Sequence, residues 1–350
     1  MCVSGVAQHA AGADIDSIFA PLADEKSPGI AVLVRKDSHA IFERGYGVAD
    51  LRSLHKIDGK TDFRLASFTK QFTAMAIMLL VHDGKLRYDQ RITDVFPNFP
   101  SYGRAITIRH LLTHTGGLAD YEDLMGSNWT ALHQIQDDDV LSLLEHQTAP
   151  KFAAGTKWAY SNSGYVLLGL IVAKVSAEPF WEFLHDRIFG PLAMHQTIAF
   201  MKGTNVVPHR AFGHTRQAGG FVETDQSSTS ATLGDGGVYS NLEDLAKWDA
   251  ALAANTLLGE KEMRAALTPV KLNDQTEPTS EGKPVSYGFG WFLDPYKGRP
   301  RMWHSGSTLG FRTVIDRFTN EKVTVVILCN RTDLDPSELA LKVVDVVWGQ

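Results

Sequence analysis

The stretch LASFTKQFTAMAIMLLVHDG, residues 65–84, is the segment from which the fold is most readily inferred. If the segment is helical, its apolar side chains lie on nearly every side of the helix, which is typical of a helix buried at the centre of a domain. Gly84 follows the last apolar turn and is a common residue for ending a helix. The sequence therefore predicts a central helix from Ser67 to His82.

Segments typical of β-strands lie at both ends of the chain. Near the start, residues 29–37 and 39–50 are two β-prone runs separated by a short polar break, which predicts a hairpin. Near the end, strands are predicted at 287–294, 301–306, 311–318 and 322–330, followed by an amphipathic helix at 336–348. Because a lone hairpin is only marginally stable in water, we expect it to join the late strands in one sheet, packed by the last helix.

The middle of the chain is mainly helical. Helices are predicted at residues 107–114, 137–147, 164–175, 179–189 and 241–255, the last with Asn241 as N-cap. Residues from about 202 to 240 are rich in Gly, Ser and Thr and are predicted to form loops. We therefore predict a two-domain α/β fold: a sheet domain of residues 1–62 and 212–350, an inserted helical domain of residues 63–211, and a flexible tail at 1–14.

The composition of the 350-residue chain excludes several classes of protein. The net charge of −6, with both signs interspersed, gives no basic patch, so no nucleic-acid partner is expected. No apolar run approaches the ~20 residues that cross a bilayer, so no integral membrane span is expected. Cys2 and Cys329 cannot form a disulfide framework, and Cys329 is expected to be buried. The N-terminal residues lack Lys and Arg and are not expected to form an intact signal peptide.

Ser67 and Lys70 are the first candidates for catalysis. Their spacing places a hydroxyl and an amine on one helical face, about 5–6 Å apart at Cβ. An adjacent amine can activate a serine as a nucleophile, and desolvation by the apolar helix would lower the pKa of the lysine. Taken alone, the pattern is also compatible with Ser67 as an N-cap and Lys70 as a solvated residue of the first turn.

A second candidate segment, WAYSNSGY at residues 158–165, precedes an apolar helix. Tyr160 offers a phenol that can relay a proton, and Asn162 offers an amide that can both donate and accept. In isolation, a capping turn with Asn162 or Ser163 as N-cap and Tyr160 as a staple is the simpler interpretation.

A third segment, MWHSGSTLGF at residues 302–311, lies at the end of a predicted strand. His304 is followed by Gly306, where the missing side chain would let a substrate approach the strand. The N–H of Ser307 could face an oxyanion. A single histidine at a strand end is more often a surface residue.

In this order, Ser-x-x-Lys, Tyr-x-Asn and His-x-Gly resemble the motifs of serine β-lactamases and penicillin-binding proteins. The resemblance is greatest to the branch of class C β-lactamases, D-stereospecific peptidases and β-lactamase-like esterases. GYGVADL, TIRHLLTHTGGL and GGVYSNLEDLAKW also look like family segments in family order, from about residue 28 onwards. The resemblance implies an antiparallel sheet flanked by helices, built from both chain ends, a helical domain between them, and a site between the domains.

The resemblance also implies roles for the matching residues. Ser67 would be the acylated nucleophile, and Lys70 would activate it. Tyr160 would exchange protons with Ser67 and the leaving group, and Asn162 would bind Lys70 and a substrate amide. The N–H groups of Ser67 and Ser307 would form the oxyanion hole. A lysine cation beside Tyr160 would favour the phenolate, which can accept a proton.

His304 stands where class C β-lactamases carry a lysine. Histidine is mostly neutral at pH 7, so it meets a substrate carboxylate less well than a permanent charge does. We therefore expect cleavage of esters, small amides or D-peptides, with weak or secondary β-lactam hydrolysis. The alternatives are a class C-like β-lactamase or D,D-carboxypeptidase, and an inactive penicillin-binding-protein-like module. Family resemblance favours a periplasmic or secreted location.

The sequence predicts no metal and no cofactor. His110 and His114 have the spacing of a zinc pair, but no third ligand or H-E-x-x-H glutamate accompanies them, so a structural role is expected. There is no G-x-S-x-G elbow, Walker A or G-x-G-x-x-G pattern.

Several other residues have two interpretations. Tyr121 is a candidate for the rim of the pocket. Trp158, Trp291 and Trp303 either line that pocket or pack in the core. Asp137, Asp138 and Asp139 are expected to begin a helix and complement its dipole. The sequence does not indicate an oligomeric state.

Overall fold

A computed structural model describes residues 12–349 of the chain. The strands, numbered in chain order, are β1 (Ile30–Lys36), β2 (His39–Tyr46), β3 (Val48–Asp50), β4 (His55–Lys56), β5 (Phe63–Arg64), β6 (Ile198–Ala199), β7 (His214–Gln217), β8 (Gly220–Glu223), β9 (Val238–Ser240), β10 (Thr279–Ser280), β11 (Lys283–Pro284), β12 (Met302–Thr308), β13 (Phe311–Phe318) and β14 (Val323–Cys329).

The helices are α1 (12–19), α2 (Lys70–His82), α3 (Ile92–Val95), α4 (Ile108–Leu112), α5 (Tyr121–Leu124), α6 (Asp137–Glu145), α7 (Asn162–Ser176), α8 (Phe180–Leu184), α9 (Leu242–Ala254), α10 (Glu260–Ala266) and α11 (Pro336–Trp348). Short 3-10 turns occupy Ala20–Leu22, Ala66–Thr69 and Ser101–Ala105, and a π-helical turn occupies His185–Phe189.

The main sheet is antiparallel and is built from both ends of the chain. Its strand order is β12-β13-β14-β1-β2, so the N-terminal hairpin β1–β2 extends a C-terminal meander. Where β1 pairs with β14, Ile30 lies opposite Cys329 and Lys36 opposite Val323. The prediction that the first hairpin joins the late strands is confirmed, and Cys329 is buried as expected.

The three central strands, β13, β14 and β1, are buried on both faces of the sheet, and each face packs against different helices. On one face, residues such as Val32 and Val325 share a core with α11. On the other face, residues such as Leu33 and Val326 share a core with α2, α7 and α9. Two-sided burial explains why these strands appear in the sequence as continuous apolar runs and not as an alternation.

The predicted central helix begins with the 3-10 turn Ala66–Thr69 and continues as α2. Every residue of α2 from Lys70 to Leu80 is buried. The helix packs against α7, and the turn before it packs against β12. The start of α2 therefore lies where the helical segments meet the edge of the sheet.

Asn330 connects the two chain ends directly after β14. Its Oδ1 accepts the N–H of Gly29 at 2.7 Å, and its Nδ2 donates to the carbonyl oxygens of Val48, Ala49 and Phe212 at 3.1, 3.2 and 3.0 Å. The side chain is completely buried. Because a buried amide needs partners at all its polar atoms, this residue fixes three segments relative to one another.

Residues 287–294 do not form the strand that the sequence predicts. Tyr287 and Trp303 are joined to Phe292 by isolated bridges, and a tight turn lies between 288 and 291. Gly290 has a φ of 77°, and a Cβ on it would lie 2.8 Å from the carbonyl oxygen of Lys70. The segment folds back at Gly290, which packs against the backbone at the start of α2.

Two further predictions need correction. Residues 202–240, predicted as loops, contain the hairpin β7–β8 and strand β9. Residues 12–14 of the predicted tail are helical, whereas residues 1–11 lie outside the described part of the chain. The domain limits drawn from the sequence stay a prediction. Within residues 12–349, no helix is long and apolar enough to cross a membrane.

Candidate active site

Ser67 lies in a strained turn at the start of α2. Ala66, which precedes it, has a φ of 50°, a left-handed conformation that is unfavourable for a residue with a Cβ. The carbonyl oxygen of Leu65 accepts a hydrogen bond from Thr313 Oγ1 at 2.7 Å. The turn is therefore held in this conformation from β13, and Ser67 remains partly exposed among buried neighbours.

Lys70 is completely buried, and its side-chain nitrogen contacts three oxygen atoms. Nζ lies 3.1 Å from Ser67 Oγ, 2.9 Å from Asn162 Oδ1 and 2.9 Å from the carbonyl oxygen of Asp235. Three acceptors match the three N–H donors of a protonated lysine. The arrangement thus holds a cation against the hydroxyl of Ser67.

Tyr160 and Asn162 lie on the turn that begins α7. The ring centre of Tyr160 lies 4.9 Å from Lys70 Nζ, so the phenol is next to the cation. Ser161 is the N-cap of α7, and neither Asn162 nor Ser163 takes that role. Because Ser161 caps the helix, the amide of Asn162 can reach Lys70.

His304 lies on β12 with its side chain directed into the protein, and it is only 1% exposed. Its Nδ1 lies 2.7 Å from the carbonyl oxygen of Ser305, which can only accept, so Nδ1 carries the proton. Nε2 then accepts the hydroxyl of Tyr287 at 3.2 Å. Burial, with the charge of Lys70 as a second cause, lowers the pKa of His304 to about 3. His304 is neutral and occupied by protein partners, which corrects the expectation that it meets substrate directly.

Gly306 is required by the protein's own backbone. A Cβ at this position would lie 2.0 Å from the carbonyl oxygen of Leu65 and 2.4 Å from Thr313 Oγ1. The group that approaches this glycine is therefore the turn before Ser67 and not a substrate, which corrects the sequence-based interpretation.

Ser307 is exposed near the end of β12, which is the edge strand of the main sheet. Trp303 exchanges both backbone hydrogen bonds with Phe292, on the side away from β13. Backbone groups of an antiparallel strand alternate between its two sides, so the N–H of Ser307 also points away from β13. This N–H lies at the open edge of the sheet, where a ligand can accept a hydrogen bond from it.

Tyr121 is buried, with 1% of its surface exposed, and does not form a pocket rim. Its hydroxyl donates to Asp235 Oδ2 at 3.1 Å. The carbonyl oxygen of the same aspartate accepts from Lys70. Tyr121 therefore supports the site from behind, because it holds the residue that binds the lysine.

His114 holds the turn that carries Tyr160, a role that the sequence did not reveal. Its carbonyl oxygen accepts the N–H of Ala159 at 3.0 Å, and its Nδ1 accepts the N–H of Ser161 at 3.1 Å. The imidazole packs on the Tyr160 ring, with 4.4 Å between ring centres. Burial, with the charge of Lys70 as the second cause, lowers the pKa of His114 well below its usual value, so the ring is neutral.

Two acidic side chains contact Asn162, and no sequence motif indicated them. Asp120 Oδ2 accepts the backbone N–H of Asn162 at 3.1 Å, and Glu122 Oε1 accepts from its Nδ2 at 3.2 Å. Partial burial and the carboxyl groups of Asp120 and Asp235 raise the pKa of Glu122. Lys70 is therefore balanced by carboxyl groups close to the open side of the site.

The remaining candidate residues lie at the starts of helices, in the core or in aromatic packing. Asp137, Asp138 and Asp139 form the first turn of α6, as predicted. His110 Nδ1 accepts the N–H of Thr107 at the start of α4. Trp291 is buried, while Trp158 and Trp303 are half-buried beside Phe292.

The fold and this arrangement are those of β-lactamase-like serine hydrolases. A family model described as Beta-lactamase matches residues 15–346, and the chain belongs to that family.

Known relatives extend over most of the chain. Penicillin-binding protein 4* of Bacillus subtilis is 30% identical over 96% of this chain and 76% of its own length. A D-aminopeptidase of Cereibacter sphaeroides is 27% identical over 87% of this chain, and the matched region covers 57% of the length of that relative. The octameric penicillin-binding protein homologue from Pyrococcus abyssi has a TM-score of 0.81 at 26% identity, over 97% of this chain and 77% of that one.

Gly306→Ala tests whether the glycine serves the protein or a ligand. The added methyl group would displace the carbonyl oxygen of Leu65, so we expect about 3 kcal/mol lower unfolding free energy and slower labelling of Ser67 by a fluorophosphonate. Gly219→Ala is the matched control, since a Cβ there meets nothing within 4 Å. Denaturant unfolding and labelling kinetics check both effects; wild-type behaviour of Gly306→Ala would contradict the packing described here.

His114→Phe tests the support of Tyr160. The variant keeps an aromatic ring but leaves the N–H of Ser161 without its acceptor, so we expect a loss of about 1–3 kcal/mol in stability and a marked fall in Ser67 labelling. His110→Phe is the control, because His110 also accepts one backbone N–H. Equal labelling rates in the two variants would mean that His114 does not position Tyr160.

Proposed function

We propose that the protein forms a covalent acyl-enzyme on Ser67 and cleaves esters or small amides, with β-lactam hydrolysis weak or secondary. The observation that carries the proposal is the 3.1 Å contact between Lys70 Nζ and Ser67 Oγ in a buried setting. Likeness to a D-aminopeptidase supports the cleavage of an amide.

In the first half of the reaction, Ser67 Oγ attacks the carbonyl carbon of the substrate. Lys70 already donates toward three acceptors, so it acts as a fixed positive charge, and the proton of Ser67 passes to the side-chain oxygen of Tyr160. Tyr160 then gives this proton to the leaving alcohol or amine as the C–O or C–N bond breaks. The Lys70 cation favours the negative charge that develops on Ser67 Oγ and on Tyr160.

In the second half, water attacks the carbonyl carbon of the acyl-enzyme. Tyr160 takes a proton from this water and returns it to Ser67 Oγ as the ester bond breaks, which releases a carboxylic acid. The N–H groups of Ser67 and Ser307 donate to the substrate oxygen in both halves. Asn162 binds the amide of the acyl group while it holds Lys70.

The charges around the site favour a substrate ammonium group over a carboxylate. His304 is neutral and buried, so it offers no cation to a β-lactam or peptide carboxylate. Glu122 is exposed and contacts Asn162, so it lies beside the proposed position of the substrate amide. We therefore assign amides and esters of D-amino acids with a free α-amine to this site, alongside neutral esters.

Intact-mass spectrometry tests the acyl-enzyme. A chromogenic short-chain ester, a D-amino-acid amide, a D-Ala-D-Ala peptide and a cephalosporin are compared side by side, and we expect the ester and amide to be cleaved fastest, with the adduct on Ser67. Ser67→Ala should remove the adduct and lower the rates at least about a thousandfold, whereas the exposed control Ser53→Ala should not. Cleavage of the cephalosporin alone, or unchanged rates in Ser67→Ala, would refute the proposal.

Glu122→Gln tests the preference for an amine. With the charge removed, we expect kcat/KM for a D-amino-acid amide to fall about tenfold and that for a neutral ester to stay constant. In the wild type the preference should be full above the raised pKa of Glu122 and should decline as the pH falls through it. Asp123→Asn, which alters an adjacent exposed acid, is the control. An equal fall in kcat/KM for both substrates would show that Glu122 does not discriminate between charged and neutral substrates.

A further inference from the structure

A polar row crosses the otherwise apolar face of the main sheet that meets α9. Arg35 of β1 lies opposite Thr324 of β14, Thr324 opposite Arg317 of β13, and Arg317 opposite Met302 of β12. Directly opposed residues of an antiparallel sheet point to the same face. Two arginines and a threonine thus occupy a layer that elsewhere holds Leu33, Ile315 and Val326.

One carboxylate, Asp249 of α9, holds both arginines. Its Oδ2 lies 2.5 Å from Arg35 Nη1, and its Oδ1 lies 2.6 Å from Arg317 Nε and 2.7 Å from Thr324 Oγ1. The side chains of Arg35, Arg317 and Asp249 are only 10%, 6% and 7% exposed. The cluster therefore carries one uncompensated positive charge at low exposure, where desolvation makes it costly.

A cavity of about 370 Å³ opens beside this cluster, between α9, α10 and the ends of two hairpins. Its polar lining includes Lys322 at the β13–β14 turn and Asp37 at the β1–β2 turn, so three cations face two carboxylates. Its apolar lining includes Leu252, Met263, Leu267 and Met302. The lining contains none of the residues around Ser67, so this is a separate place on the molecule.

One side-chain nitrogen of Arg317 has no strong hydrogen-bond acceptor within residues 12–349. Arg317 Nη1 lies 3.3 Å from Met302 Sδ, and a thioether sulfur is only a weak acceptor. A guanidinium with weakly satisfied N–H groups beside an open cavity is a typical setting for an oxyanion.

We propose that this cavity binds a small organic anion, a monocarboxylate with an apolar body. Its carboxylate would meet Arg317 and Lys322, and its apolar part would pack on Leu252, Met263 and Leu267. A single negative charge matches the single excess positive charge of the lining. The apolar wall favours such a ligand over inorganic phosphate.

Calorimetric titration of the Ser67→Ala chain tests the proposal without any turnover at the other site. Hexanoate is the probe, hexanol and hexylammonium are the controls for charge, and inorganic phosphate is the control for the apolar body. We expect one equivalent of hexanoate to bind and the other three to bind more weakly or not at all. Binding of phosphate in preference to hexanoate, or equal binding of hexanol, would overturn the assignment.

Two variants locate the bound anion. Leu267 is 40% exposed, so Leu267→Glu adds a negative charge to the lining at little cost to folding, and we expect hexanoate to bind at least about tenfold more weakly. Leu132→Glu is the matched control at a position that is 94% exposed and outside the cavity, and it should bind as before. Lys322→Gln should also weaken binding, whereas Lys202→Gln should not. Thermal unfolding verifies that all four variants are folded.

Unchanged binding in both Leu267→Glu and Lys322→Gln would place the hexanoate elsewhere and would refute the cavity as its site. Because every measurement uses chains without Ser67, the result does not depend on whether the proposed hydrolysis is correct.

Discussion

The buried charge of Lys70 is the constraint on which the arrangement of the site depends. A cation removed from water is tolerated only when its donors are paired. Here one partner, Ser67, lies one turn away, and the other two, Asn162 and the carbonyl of Asp235, come from distant segments. Each partner is itself fixed. The turn before Ser67 is held from β13, and Asp235 is held by Tyr121. The requirement to satisfy one ammonium group therefore brings the helical segments and the sheet together at a single point.

Burial and the same charge together keep the two neighbouring imidazoles neutral. His114 and His304 are buried, and in each the positive charge of Lys70 adds to burial in lowering the pKa. Both imidazoles are consequently neutral supports, each accepting a hydrogen bond at one nitrogen. Glu122 and Asp120 meet the site from the opposite side through Asn162. One cation, neutral histidines and the carboxyl groups beside Asn162 give a site whose outer part is negative, which is the electrostatic basis for the proposed preference for amines.

The sequence predicts those features that depend on local pattern, and it fails where the neighbours come from far along the chain. The central helix, the five main strands and the pairing of both chain ends follow from apolar runs and turn residues. The three motifs also named residues that lie together. The surroundings of these residues could not be predicted. Position 306 must be glycine because a side chain there would clash with Leu65 and Thr313, and the buried His304 has Tyr287 as its hydrogen-bond partner. Likewise, the β-prone run 287–294 folds back at Gly290 because this glycine packs against Lys70. No local sequence pattern reveals that contact.

Strand β12 links the two polar regions of the molecule. Met302 at its start lines the cavity that holds Arg317, and Ser307 near its end directs an N–H to the open edge. At a rise of about 3.3 Å per residue these positions are about 17 Å apart along one strand. The strand is paired with β13 on one side and, through Trp303, with Phe292 on the other. The cavity and the proposed oxyanion donor are therefore connected by continuous strand pairing, and the contact between Arg317 Nη1 and Met302 Sδ is where the arginine cluster meets β12.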